Sequence, residues 1–186
     1  FVTISFPALI STEWLDPVTG MIGTQTPLTL LHSGMPFTYS WAELLFGQTA
    51  GSIGETFRIG ILILGVLLIA VKAVDWRMPV FVLATVFVLT LLGYYIMPDT
   101  FANPYYTMFT GSLLFVAFFV ATEPVSAPLT PRGKIIYAIG IGALVVVIRN
   151  LASFPEGTVF AVVLMNVVGT LFDAGDKHSE VGELSE

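Results

Sequence analysis

The sequence of 186 residues contains no cysteine, which excludes disulfides, cysteine-ligated zinc and iron–sulfur ligation within this chain. It contains only two histidines, His32 and His178, and they lie so far apart that we expect no metal site. Charged residues make up 11% of the chain, whereas a soluble domain carries about 25%. The formal charge of −6 argues against a nucleic-acid partner.

Apolar side chains are abundant instead, with 55% hydrophobic residues and a mean hydropathy of +0.88. This composition cannot cover a water-soluble surface, so it predicts an integral membrane protein. Five apolar segments approach the roughly 17–25 residues of a spanning helix, and turn-forming residues separate them. We therefore predict an all-α polytopic membrane protein with five complete transmembrane helices. The segments are Phe57–Val74, Val80–Met97, Tyr105–Thr122, Ile135–Leu151 and Thr158–Phe172.

The first ten residues are apolar but too few to cross a bilayer of about 30 Å alone. We interpret residues 1–10 as the end of a preceding transmembrane helix. Residues 11–56 are then a long loop, residues 57–173 form the five-helix membrane domain, and residues 174–186 form an acidic tail.

Basic residues are unequally divided between the two ends of the predicted spans. The two sets are Lys72, Arg77, Arg132, Lys134 and Lys177 on one side, and Arg58 and Arg149 on the other. The positive-inside rule places the larger set in the cytoplasm. We therefore expect the 11–56 loop on the outer face and the acidic tail inside, in the inner membrane of a bacterial or archaeal cell.

Four stretches occur in order along the chain: GSIGET at 51–56, VDWRMPV at 74–80, ATEPVSAPLTPRGK at 121–134 and FPEGTVFAVVLMN at 154–166. Together they resemble the RnfD/NqrB family, and most closely its RnfD branch. These proteins are membrane subunits of ion-translocating, flavin-dependent electron-transport complexes. The resemblance implies the C-terminal half of a membrane fold with two related halves. It also implies a subunit of an oxidoreductase and translocase, not a complete enzyme, that passes electrons coupled to Na⁺ or H⁺ transport.

The family carries FMN joined through its phosphate to a threonine hydroxyl, usually in a Ser/Thr-Gly-Ala-Thr-x-Leu motif. The best match here is GTQTPL at 23–28, in which Thr26 takes the place of the linked threonine and Leu28 that of the leucine. Thr24 and Gln25 replace the Gly-Ala pair. The resemblance thus implies covalent FMN on Thr26, a flavin transferase for its attachment, and room for a second, non-covalent flavin.

The residues around Thr26 are compatible with two interpretations that do not depend on the family. Pro27 pushes the preceding residue into an extended conformation, which would present the Thr26 hydroxyl to a modifying enzyme. The same arrangement is typical of a helix N-cap, with proline at the first helical position.

Two acidic residues at predicted span ends are further candidates. Glu55 stands at the start of the first full span, where the helix dipole favours a carboxylate and Arg58 is an (i, i+3) partner. Its alternative role is a polar contact to a flavin or to the ion path. Glu123 precedes Pro124 and resembles the acid of the family's AT(D/E)PV motif. It is either an interface charge or part of the ion path.

Other residues have a structural and a functional interpretation. Gly140 and Gly142 are expected to permit close helix packing. Trp41 fits an interfacial belt, or could stack on an isoalloxazine ring together with Phe37 and Tyr39. No Gly-x-Gly-x-x-Gly fingerprint is present, so nicotinamide chemistry would belong to a partner subunit. The alternative functions are half of a solute channel or transporter without a redox cofactor, and a structural scaffold subunit.

Overall fold

The computed structural model describes residues 14–15, 17–18, 20–34, 39–52, 54–98, 100–151 and 156–169. The predicted helix end at 1–10 and the acidic tail at 174–186 lie outside the described residues. The described chain is helical apart from one short ladder, in which β1 (Trp14–Leu15) pairs antiparallel with β2 (Ile22–Thr24).

The predicted loop at 11–56 holds this ladder and two short helices, and longer helices follow it. The helices are α1 (Pro27–His32), α2 (Trp41–Phe46), α3 (Arg58–Ala70), α4 (Arg77–Ile96), α5 (Pro104–Met108), α6 (Leu113–Phe115), α7 (Pro131–Leu151) and α8 (Thr158–Gly169). With 20 and 21 residues, α4 and α7 are long and apolar enough to cross a membrane, and α3 and α8 are shorter apolar helices.

The third predicted span, Tyr105–Thr122, is not one continuous helix. The chain turns after α5 at Gly111, whose φ of +64° is in a region that glycine adopts without a steric penalty. The helix then resumes as α6 and widens into the π-helical segment Val116–Val120. All five predicted segments contain helix, but the third is broken at Gly111, which stands between Thr110 and Ser112.

The centre of the fold is the contact between α4 and α7. A Cβ placed on Gly142 would lie 2.9 Å from the Val82 carbonyl oxygen of α4, and a Cβ on Gly140 would meet Met165 of α8. The expectation that both glycines permit close helix packing is confirmed. The surrounding core includes Met78, Val86, Val116, Tyr137, Ile141 and Val145.

The outward faces of α3 and α8 are apolar and exposed. Their exposed side chains include Ile63, Leu64, Val66, Leu67, Val159, Phe160, Val163, Leu164 and Val167. Apolar surface on this scale does not suit water, but it suits the hydrocarbon of a bilayer.

Charged side chains gather at the two ends of α7. Lys134 lies 3.0 Å from Asp75, which also pairs with Arg77, and we call this the lysine end. Fifteen residues separate Lys134 from Arg149, which is about 22 Å along a helix. Arg149 and Arg58 both interact electrostatically with Glu55, and we call this the arginine end. The structure thus separates Arg77 and Lys134 from Arg58 and Arg149, as predicted. Lys177 lies outside the described residues, and the side of the membrane that each end faces stays a prediction.

Candidate functional site

Thr26 is the N-cap of α1. Its backbone is extended, with φ −68° and ψ 154°, and its Oγ1 accepts a hydrogen bond from the Thr29 N–H at 3.3 Å. Pro27 occupies the first helical position, where a missing N–H costs nothing. The N-cap interpretation of Thr26 is therefore confirmed, and the side chain remains half-buried rather than sealed.

The hydroxyl of Thr26 is oriented by Thr29. The two Oγ1 atoms lie 3.1 Å apart, and the Thr29 hydroxyl donates to the Thr26 carbonyl oxygen at 2.8 Å. A hydroxyl has one proton, so the Thr26 hydroxyl is the donor in the pair of side chains. A half-buried and oriented hydroxyl, next to the buried Pro27 and Leu28, fits an ester linkage to a flavin phosphate.

Helix α1 covers a small cavity at the arginine end. The cavity has a volume of ≈ 30 Å³, enough for ordered water. It is lined by Leu28, Leu31, His32, Thr100, Ala102, Thr107, Arg149 and Asn150. The candidate attachment segment therefore rests directly over a buried guanidinium.

Arg149 is only 4% exposed. Its Nη1 donates to the Thr107 carbonyl oxygen at 3.3 Å, and its Nη2 donates to Thr158 Oγ1 at 3.1 Å. These bonds join the end of α7 to α5 and to the start of α8. Within the described residues, its Nε has no hydrogen-bond partner.

Arg58 forms a similar buried contact beneath the other short helix of this end. Its Nη1 donates to the Leu44 carbonyl oxygen at 2.7 Å and to Thr49 Oγ1 at 3.2 Å, which ties α2 to α3. The expected ion pair with Glu55 is not formed, since salt bridges in the described part of the chain occur only at Asp75. The reason is that α3 begins at Arg58, so the two residues do not share a helical turn.

Glu55 is buried in a turn that precedes α3. Its Oε1 accepts a hydrogen bond from the Ser52 N–H at 2.8 Å. Burial raises the pKa of Glu55, and the charge of Glu156 adds to this. The Ser52 N–H, Arg58 and Arg149 lower it, but the pKa stays above its usual 4.5. Glu55 does not cap a helix, because the N-cap of α3 is Phe57.

Glu156 and Gly111 also belong to this end, and sequence reasoning assigned neither a role. Glu156 Oε2 accepts a hydrogen bond from the Ser112 hydroxyl at 2.9 Å. A Cβ on Gly111 would lie 2.7 Å from Leu28 Cδ2, 2.8 Å from Arg149 Nη2, and closer still to Glu156 Oε1. The one available signal was the position of Glu156 inside the FPEGT stretch, which carried the family resemblance.

Glu123 lies far from these residues, in the loop before α7. It is exposed, and its Oε2 accepts a hydrogen bond from the Ser126 hydroxyl at 2.5 Å. The structure therefore brings Thr26, Arg149 and Glu55 to one end of the molecule, and leaves Glu123 towards the lysine end.

Trp41 already has an aromatic partner. Its ring stacks on Tyr106 at 4.8 Å with an interplanar angle of 13°, and it meets the edge of Phe109. With 44% of the side chain exposed, one ring face is occupied and part of the rest is open. Phe37, the other predicted stacking residue beside Tyr39, lies outside the described residues.

Comparison with known proteins gives a consistent set of relatives. The model of the NQR2, RnfD, RnfE family matches residues 1–182. The chain is 38% identical, over 173 residues, to the D subunit of the ion-translocating oxidoreductase complex of Stutzerimonas stutzeri, covering 91% of this chain and 49% of that protein. It is 34% identical, over 186 residues, to the D subunit of the Na(+)-translocating ferredoxin:NAD(+) oxidoreductase complex of Acetobacterium woodii, covering 98% and 56%. The chain spans about half the length of the curated relatives it matches.

Proposed function

The chain belongs to the NQR2, RnfD, RnfE family, and from this premise we propose that it is part of a membrane subunit that carries covalent FMN on Thr26. The subunit serves an ion-translocating electron-transport complex, as the names of its relatives describe for those proteins. Its partners are then the other subunits of that complex. The observation that carries the cofactor assignment is the half-buried Thr26 hydroxyl, oriented by Thr29 within GTQTPL.

The membrane arrangement in this proposal has five helices that cross the bilayer, as the second half of a two-repeat fold. The apolar outward faces of α3 and α8 support contact with lipid. The arginine end lies on the outer face and the lysine end in the cytoplasm, in accord with the basic-residue rule. Thr26 is then accessible to a flavin transferase outside the cell membrane.

In the attachment step, the transferase would supply a flavin dinucleotide and a base that takes the Thr26 hydroxyl proton. A bond forms between Oγ1 and the flavin-bearing phosphorus, the phosphoanhydride P–O bond of the dinucleotide breaks, and a nucleoside monophosphate leaves. Thr29 Oγ1 accepts the hydrogen bond of the hydroxyl and holds its oxygen in one orientation. When bound, FMN exchanges electrons in one- or two-electron steps. A second, non-covalent flavin stays a prediction from the family resemblance.

Two carboxylates have proposed roles in charge movement. Glu55 lies buried at the arginine end, and this burial raises its pKa above the usual 4.5. It can compensate charge when electrons reach a nearby flavin. Glu123 is proposed at the cytoplasmic entrance of the ion path, which carries Na⁺ or H⁺, because it is exposed and close to a span end.

The alternative is half of a channel or transporter without a redox cofactor. The broken third span favours it, because transporters build substrate sites from discontinuous helices. A purified subunit that is colourless and supports solute flux would favour this alternative over the flavoprotein.

The experiment is a comparison of Thr26→Val, which keeps the side-chain shape and removes the hydroxyl, with Thr24→Val and Thr29→Val. Each variant is coexpressed with the transferase and run on a denaturing gel under ultraviolet light, and intact mass confirms the adduct. We expect Thr26→Val to abolish the fluorescent band, Thr29→Val to weaken it because it removes the acceptor that orients the hydroxyl, and Thr24→Val to leave it unchanged. If the band survives that change but disappears with another, the attachment residue is wrong. If the unmutated subunit never fluoresces, it holds no covalent flavin.

A further inference from the structure

The turn at Gly111 is one of the places where helix α1 meets the rest of the described chain. Leu28 Cδ2 and Arg149 Nη2 both lie within 2.8 Å of the point where a Gly111 Cβ would stand. Leu28 is also 6% exposed, although the helix that carries it is only six residues long. A helix this short is not stable alone, so its position depends on what Leu28 packs against.

The surface beneath Leu28 is fixed by Arg149. Its guanidinium spans from the Thr107 carbonyl oxygen at the end of α5 to Thr158 Oγ1 at the start of α8. Ser112 and Glu156 add a second bond across the same turn at 2.9 Å. The planar fork of arginine can make both contacts at once, which the single ammonium of lysine cannot match.

We propose that Arg149 anchors α1 through the Gly111 turn, and thereby positions Thr26 for flavin attachment. Arg149 is a positioning residue in this account and does not itself react. Thr26 is the N-cap of α1 and stands two residues before Leu28, so a displaced Leu28 moves the hydroxyl. The positioning role rests on the proposed function, whereas the anchoring of α1 does not.

The test uses Arg149→Lys, which keeps the charge and loses the fork. Its matched control is Arg58→Lys, because Arg58 is also a buried arginine at this end but bonds to Leu44, Thr49 and Thr56 rather than beneath α1. The change is made in the full-length subunit coexpressed with the transferase.

A second pair of variants covers the possibility that Arg149→Lys does not fold. Leu28→Ala removes the contact from the α1 side, and Leu30→Ala on the same helix is its control, since Leu30 is not part of the cavity lining.

Two measurements are made on each variant. The first is the mobility of a nitroxide attached through Ser33→Cys, at the exposed end of α1, in a chain that has no native cysteine. The second is covalent flavin per folded chain. We expect Arg149→Lys and Leu28→Ala to sharpen the nitroxide spectrum and lower flavin content severalfold, while both controls match the unmutated subunit.

An unchanged nitroxide spectrum in Arg149→Lys and Leu28→Ala would overturn the proposal. A mobile nitroxide with normal flavin content in these variants would also overturn it. In that case Arg149 and Leu28 would anchor α1, but this anchoring would not be needed to position Thr26. A mobile nitroxide in Arg58→Lys as well would reduce Arg149 to general support of the fold. If the unmutated subunit carries no flavin, the proposed function fails and the positioning role with it, and the nitroxide alone decides the anchoring.

Discussion

Gly142 permits a close approach of α4 and α7, and Gly142→Ala tests whether that approach sets the packing of the membrane domain. A Cβ at this position would lie 2.9 Å from the Val82 carbonyl oxygen and 2.7 Å from Thr85 Cβ. Both obstacles are fixed to the α4 backbone, so neither can rotate away. Gly140→Ala is the matched control on the same helix, because a Cβ there meets the flexible thioether end of Met165.

To restore ordinary contacts, α4 and α7 must separate near Gly142 by about 0.5–1 Å, a gap that forfeits a quarter to a half of the dispersion energy of the facing atoms. Overpacking of this kind costs typically about 1–3 kcal/mol. We expect about 2 kcal/mol for Gly142→Ala and less than about 1 kcal/mol for Gly140→Ala. The larger cost lowers the ratio of folded to unfolded protein about thirtyfold.

The assay is unfolding of the purified subunit in mild detergent by titration with sodium dodecyl sulfate, followed by circular dichroism. Gly142→Ala should unfold at a clearly lower fraction of the denaturing detergent than Gly140→Ala. Equal midpoints for the two variants would refute the reasoning, because the Val82 carbonyl would then not limit the helix separation.

Three further predictions concern charge and orientation. Burial holds the folded pKa of Glu55 above 4.5, so the ionised carboxylate lowers the stability of the fold once the pH rises through that pKa. Glu55→Gln should therefore raise the melting temperature near about pH 7 and change it little near about pH 4. A lower melting temperature at both pH values would contradict the burial effect. Burial also raises the pKa of Asp75, but the backbone N–H of Arg77 and the Lys134 ammonium outweigh it and hold the pKa below 3.8. The ionised Asp75 therefore stabilises the fold above that pH, and this contribution is lost as the pH falls through the folded pKa. Lys134→Met should lower the free energy of unfolding by less than about 1 kcal/mol at neutral pH. It should also reduce the fall in melting temperature that accompanies acidification. An unchanged fall would show that the Asp75–Lys134 pair is not its cause. Ser33→Cys should react in intact cells with an impermeant thiol reagent, and labelling only after the cytoplasmic face is opened would reverse the orientation.

The long helices were predictable from the sequence, but the break in the third span was not. Helices α4 and α7 coincide closely with the apolar runs Val80–Met97 and Ile135–Leu151, because an unbroken apolar run with flanking turn residues leaves few alternatives to a helix. Gly111 stands between Thr110 and Ser112 in a stretch that is otherwise apolar, and glycine is tolerated within a membrane helix. A side chain at this position would meet Leu28 and Glu156, which are far away in the sequence.

The N-cap geometry of Thr26 was predictable for a local reason, since Thr-Pro determines both the extended residue and the first helical position. The contacts beneath α1 were not predictable, because they join this helix to residues about 80 to 130 positions later in the chain. Local patterns identify Thr26 as a candidate hydroxyl, and only tertiary contacts show that its helix lies over Arg149.

Two buried arginines lie at the arginine end of the molecule, and hydropathy does not predict their burial. The positive-inside rule treats Arg58 and Arg149 only as charges at the ends of spans, whereas the structure buries both, with 2% and 4% exposed. The short helices account for the difference, because the last four carbonyl groups of any helix lack partners within it. Leu44 and Thr107 belong to those last turns of α2 and α5, and their carbonyl oxygens accept from Arg58 and Arg149. Each guanidinium therefore lies at the end of a short helix and donates to its carbonyl oxygen. Helix α2 belongs to the predicted outer loop, and α5 belongs to the start of the third predicted span. The polar contacts beneath the candidate flavin threonine thus follow from the break in the third predicted span, which leaves the Thr107 carbonyl oxygen at the end of a short helix.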